Sequence, residues 1–133
     1  MLRAASLQSG WQWGWLLLIA GIFLYALCLL QFLSAKGTPA IFFTRHLRFV
    51  WGEEPPALVR TGPYLLSRNP MYVSVLLVIF GQAILYASRS VAVYGAIVFI
   101  CFHLVVTSIE EPHLRAREGP AYDDYCRRVR RWL

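Results

Sequence analysis

Two adjacent carboxylates, Glu110 and Glu111, close one long apolar run, and a turn-rich stretch from Leu58 to Tyr72 opens another. Inside that stretch Tyr64, Arg68 and Tyr72 stand four residues apart. Upstream of the acids, His103 and Thr107 fall at the spacing that puts them on the same helical face as Glu110 and Glu111. Ionisable groups at membrane depth are costly and turn toward a bundle interior or a wet cavity. A helix C-terminus also disfavours carboxylates unless a cation stands near. Arg68 is one candidate cation, and a positively charged ligand is another. Each part has a blander reading. Pro112 could begin a new helix, which would leave the acids as first-turn surface residues. His103 could bond to a neighbouring helix, and Tyr64 and Tyr72 could be interface aromatics. The combination is what points to a site.

The elements that must position these residues are apolar. Of 133 residues, 58% are hydrophobic and only 15% are charged. That is too apolar for an ordinary soluble domain, and the charges lie outside the long runs. The expected architecture is a single-domain, all-α integral membrane protein with about three transmembrane helices, interfacial helices and a C-terminal amphipathic tail helix. The spans are expected over about 13–33, 71–87 and 91–109. Residues 71–87 are short for a crossing. Trp11, Trp13 and Trp15 form an interfacial girdle ahead of the first span. A secretory signal is the rival reading of that run. Its length and the lack of a small-x-small cleavage site favour a retained helix.

Between the first two spans, the 34–70 segment carries Lys36-Gly37-Thr38-Pro39 and a mixed aromatic and basic stretch, 41–51, suited to an interfacial helix. Gly62-Pro63 marks a break. Asn69-Pro70 reads as an N-cap followed by proline at the first helical position. Ser88-Arg89-Ser90 is short enough to make the last two spans an antiparallel hairpin. From Pro112 the chain reads as helical, with a turn at Gly119-Pro120 and a second helix running to Leu133. Tyr122, Tyr125, Val129 and Trp132 form one stripe on it.

The net charge of +6 reflects topology rather than nucleic-acid binding. Eleven of the thirteen Lys and Arg residues lie in the 34–70 segment and the tail, and only Arg3 and Arg89 lie elsewhere. The positive-inside rule therefore puts both regions, and the C-terminus, in the cytosol. Cys28, Cys101 and Cys126 show no C-x-x-C pair and no metal-ligand spacing, so neither a disulfide framework nor a metal site is expected.

These pieces together resemble the isoprenylcysteine carboxyl methyltransferase and phospholipid methyltransferase group of integral membrane enzymes. The matching text is Leu-Val-x-x-Gly-Pro-Tyr at 58–64, Ser-Arg-Asn-Pro-Met-Tyr at 67–72 and Glu-Glu-Pro-x-Leu at 110–114. Gly-x-x-Tyr-x-x-Tyr at 119–125, Val-x-Arg-Trp at 129–132 and the Gly37-Thr38-Pro39 stretch complete it. The resemblance implies S-adenosylmethionine as methyl donor, bound from the cytosolic side under the tail. It implies a lipophilic small-molecule or lipid acceptor entering from the bilayer. Carried over, the cofactor contacts are Leu58, Val59, Arg60, Tyr64, Arg68, Asn69, Pro70, Met71, Glu110 and Glu111, with His103 and Arg68 as catalytic candidates. Within that frame the acids suit the donor's amino or hydroxyl groups, and Arg68 suits its carboxylate. Tyr64 or Tyr72 suits adenine or the sulfonium. His103 would deprotonate or orient the acceptor.

Three departures from the family pattern bear on the substrate and the assembly. The family's Phe-Gly stands here as Glu118-Gly119. The arginine associated with prenylcysteine has no counterpart among Val105 to Ile109. Relatives often carry extra helices ahead of the first, for which a homo-oligomer would compensate. A carboxylate or thiol acceptor, a phospholipid headgroup amine and a non-catalytic scaffold all remain as readings.

Overall fold

The computed structural model describes residues 2–34 and 58–133, with side chains from residue 10 onward. The Lys36 to Pro39 motif and the interfacial helix expected over 41–51 lie outside those residues. Helix α1 covers Leu2–Ser34, α2 Pro70–Leu85, α3 Arg89–Val105, α4 Glu111–Glu118 and α5 Pro120–Arg128. A 3-10 turn covers Gly62–Leu65, and a π turn at Val106–Glu110 joins α3 to α4. Among the described residues there is no strand.

Helix α1 starts eleven residues ahead of the expected span, because Ala4, Ala5, Leu7 and Gln8 are strong helix formers and extend it through the polar lead. It packs antiparallel to α2 at backbone-to-backbone range. A methyl group on Gly21 would lie 2.8 Å from the Ser74 carbonyl oxygen, and one on Gly81 would lie 2.9 Å from the Leu18 nitrogen. Without a Cβ at these positions the two backbones can touch, the usual device for joining helices where lipid supplies no hydrophobic drive. Ala87, at φ 46°, turns the chain into α3. There the Ser88 hydroxyl caps the helix by accepting from Val91 N at 3.3 Å.

Two helical stretches, Gly10–Ser34 and the continuous Arg89–Glu118, are long and apolar enough to cross a membrane. Only 17% and 11% of their most apolar windows are buried. A soluble core helix would bury far more, so these faces are built for lipid and the protein is membrane-associated. Helix α2 has 16 residues, about 24 Å at 1.5 Å per residue, against a hydrocarbon core of about 30 Å.

The hairpin sends the C-terminal end of α1, the start of α2 and the end of α3 to one end of the bundle. Thr61 Oγ1 donates to Gln31 Oε1 at 2.8 Å there. Cys28, Phe32 and Tyr64 form the adjoining core. A second core joins Tyr122, Tyr125 and Val129 to Leu58 and Leu114. The last helix stops at Arg128 rather than reaching Leu133. Val129 is extended, at φ −121° and ψ 130°, because the backbone from 130 onward bonds to the Ser67–Asn69 loop instead of to itself.

Candidate functional site

At the gathered end, residues 67–69 and 130–131 lie side by side. Arg68 N donates to the Arg130 carbonyl at 2.9 Å. The Arg131 carbonyl accepts from Ser67 Oγ at 3.2 Å and from Asn69 Nδ2 at 3.0 Å. Asn69 thus holds the N-cap position without capping, since its amide is drawn to the tail and no side-chain cap bond forms. Pro70 occupies the first helical position as expected. Ser67 is 1% exposed and its hydroxyl also accepts from Asn69 N at 3.1 Å, so this short loop is held from both sides.

Both acids face inward, Glu110 at 5% and Glu111 at 7% exposure. The alternative of a new helix at Pro112 with surface acids is therefore overturned: the helix runs through Pro112. Proline inside a helix lacks a donor and crowds the carbonyl four residues back. The π turn relieves that conflict, with Glu111 N bonding to the Val106 carbonyl five residues back. The same turn winds more slowly than an α-helix, so two consecutive side chains can both point into the bundle.

Glu110 accepts the hydroxyl proton of Tyr72 from α2, whose ring packs 4.5 Å from Phe102. Glu111 accepts a bidentate pair from Arg131, Nε to Oε1 at 2.7 Å and Nη2 to Oε2 at 2.9 Å. Arg68 Nη1 stands 3.1 Å from the same Oε1 and 2.8 Å from Cys126 Sγ. Pairing with Glu111 also holds the Arg131 guanidinium above its ordinary proton affinity. Arg68 Nε is buried and has no hydrogen-bond partner among the described residues. The tail core is tied on by Tyr125, whose hydroxyl donates to the Tyr64 carbonyl at 2.6 Å. Burial pushes the Tyr125 hydroxyl up to about 12 against the pull of Arg68, and it pushes Tyr64 and Tyr122 upward as well.

The expected site residues divide. Arg68, Asn69, Glu110 and Glu111 come together with the tail. Tyr64 lends its carbonyl to that end while its ring packs in the Cys28 and Phe32 core, with Val59 and Met71 against the same core. Leu58 packs under the tail, Pro70 is buried at the helix start, and Arg60 is exposed. His103 does not join the acids. The π turn shifts the register between them, and among the described residues the imidazole lies against Phe99 and Trp132, whose indole Nε1 donates to His103 Nδ1 at 3.4 Å. Thr107 bonds back to the His103 carbonyl at 2.7 Å, an ordinary use of threonine in a helix.

No sequence pattern marks Arg131 or Cys126 as part of this site. Arg131 sits in a basic tail where charge reads as topology, and no spacing links it to an acid twenty residues upstream.

Among known proteins, the chain is 35% identical over 81 residues to the nickel-cobalt-cadmium resistance protein NccN of Alcaligenes xylosoxydans xylosoxydans, covering 61% of this chain and 38% of that one. It is 34% identical over 81 residues to the cobalt-zinc-cadmium resistance protein CzcN of Cupriavidus metallidurans, covering 61% of this chain and 37% of that one. The chain thus spans less than two-fifths of the length of these curated relatives. No solved structure matches it significantly. The phospholipid methyltransferase family model matches residues 11–117, from the Trp girdle through both acids. Most of the chain lies inside that match, and it belongs to the phospholipid methyltransferase family.

Proposed function

We propose that the chain transfers a methyl group from S-adenosylmethionine to a lipophilic acceptor, at the site formed by the 58–72 segment, the acid pair and the tail. The observation that carries this reading is Arg68 Nε, a buried charged donor with no protein partner among the described residues. A buried donor left unmade costs about 1–3 kcal/mol, so its presence argues for a ligand acceptor such as a carboxylate. The rest of the donor set fits as well. Glu110 and Glu111 offer carboxylates to amino and hydroxyl groups, and the half-buried Tyr72 ring offers a face to an adenine or a cation.

When bound, S-adenosylmethionine would supply an electrophilic methyl on its sulfonium sulfur, which would keep the S–C bonding pair as the acceptor's lone pair takes the methyl in line. What the chain contributes is alignment and exclusion of water. Ser67, Asn69 and Arg131 hold the donor-side loop, and Arg68 and Arg131 fix the Glu111 carboxylate in place. The gathering of eleven of the thirteen Lys and Arg residues in the 34–70 sequence segment and the tail supports, by the positive-inside rule, a site and a C-terminus on the cytosolic face. The family favours a phospholipid headgroup amine over an isoprenylcysteine-like carboxylate or a small-molecule thiol. Three spans, with α2 crossing a locally thinned bilayer, and a tail lying on the membrane complete the arrangement.

A second reading is a non-catalytic accessory subunit, favoured by the names of NccN and CzcN as metal-resistance proteins. Calorimetric titration of S-adenosylhomocysteine into detergent-purified protein separates the two. Micromolar binding is expected for the wild type, weakened at least tenfold by Arg68→Lys, which keeps the charge and removes the Nε donor. A folded wild type that binds nothing would sink the enzyme reading.

A further inference from the structure

Trp132 stands apart from the rest of the tail. Its ring lies 5.3 Å from Phe99 and 6.2 Å from His103, stacked on the imidazole at 30°. Its Nε1–H donates to His103 Nδ1 at 3.4 Å. An indole nitrogen is a donor only, and a ring nitrogen that accepts from it carries no proton. In a neutral imidazole the proton is then on Nε2. Among the described residues Nε2 has no hydrogen-bond partner, and the ring is only partly buried. A histidine locked in this form is poorly suited to abstract a proton through Nε2, but it is a ready hydrogen-bond donor.

His103 lies seven residues of helix before Glu110, about 10 Å at 1.5 Å per residue, on the bilayer side of the acid pair. A lipid whose head reached the acids would pass this imidazole with the part of the molecule that joins head to chains. That part carries phosphodiester oxygens, which accept hydrogen bonds and lack donors of their own.

We propose that Trp132 fixes His103 as the Nε2–H tautomer and that this N–H anchors a phosphodiester oxygen of the lipid acceptor, making Trp132 and His103 positioning residues rather than a proton relay. The proposal rests on the methyl-transfer reading above for its role in turnover, but not for its chemistry. Binding and tautomer can both be read without the donor.

The experiment has two arms on full-length protein in detergent. Nitrogen-15 NMR of the histidines, with His103 identified by His103→Gln, should show a protonated Nε2 and a bare Nδ1. Trp132→Phe keeps an aromatic ring and removes the donor, and should return a tautomer mixture. Retention of phosphatidylethanolamine, followed by native mass spectrometry, should fall about tenfold in His103→Ala and be largely restored in His103→Gln, whose amide still donates. Tenfold is what a hydrogen bond of ordinary strength contributes. In turnover assays His103→Ala should raise KM with little change in kcat, and His103→Gln should largely restore it. A protonated Nδ1 in the wild type, or equal loss of lipid in the Gln and Ala variants, would overturn the proposal. Failure of donor binding in a protein that still shows both signatures would sink the methyl-transfer reading alone.

Discussion

Arg131 and Glu111, twenty residues apart, form a bidentate ion pair that joins the end of the tail to the end of the long helix. Arg68 reaches the same carboxylate through Oε1, which it shares with Arg131 Nε. One buried acid therefore balances two guanidiniums.

Removing that acid should be costly. Glu111→Ala leaves Arg68, 12% exposed at its side chain, without its countercharge, and breaking such a buried pair costs about 3–5 kcal/mol. Arg131→Ala should cost about 1 kcal/mol, because the Arg131 side chain is 35% exposed and water replaces much of what is lost. Chemical denaturation in detergent checks the order. Equal losses would mean that the tail, not Arg68, is what Glu111 stabilises.

The Tyr72 and Glu110 bond makes a separate forecast. Tyr72→Phe keeps the packing on Phe102 and strips the hydroxyl from a buried carboxylate, for a loss of about 1–3 kcal/mol. Paired with Glu110→Gln in a double-mutant cycle, the coupling should fall at about 0.5–3 kcal/mol. A coupling near zero would show that the two groups do not meet in solution.

Small residues between α1 and α2 should be far less replaceable than the rest of the helix. Gly81→Ala would press a methyl into the α1 backbone and should cost about 1–3 kcal/mol. Gly10→Ala meets nothing within 4 Å and should stabilise the helix by up to about 1 kcal/mol. Thermal unfolding of the two variants, run side by side, tests the contrast.

High pH should release the tail. The Tyr125 hydroxyl is favoured in its neutral, donating form when folded, so the stability it contributes is present below its ordinary value near 10. That stability is lost as pH rises through about 12. Tyr125→Phe lacks both the bond to the Tyr64 carbonyl and this titration. Its alkaline unfolding should therefore be flatter than that of the wild type, as followed by tyrosinate absorbance and tail proteolysis.

Much of this arrangement was legible in the residues. The apolar runs gave the helices, the Gly62-Pro63 and Asn69-Pro70 pairs marked the bends, and the Glu pair announced an inward face. The register beyond residue 105 was not legible, because helical spacing assumes a constant winding. The π turn breaks that assumption, which is why His103 and the acids were expected on one face and part company. Tail contacts were equally hidden. Val129 and Trp132 fit a helical stripe, but the carbonyls at 130 and 131 bond to Ser67, Arg68 and Asn69, a competition between local and distant partners that periodicity does not weigh.

The π turn also marks the place where the chain carries one residue more than an α-helix of the same angular span. Removing one residue between Val106 and Ile109 would let the segment relax to ordinary winding while everything after it kept about the same direction. The same deletion within α3 would instead rotate both acids by about 100°, away from Tyr72 and Arg68. The long helix therefore has slack of one residue at this turn and none in the turns before it.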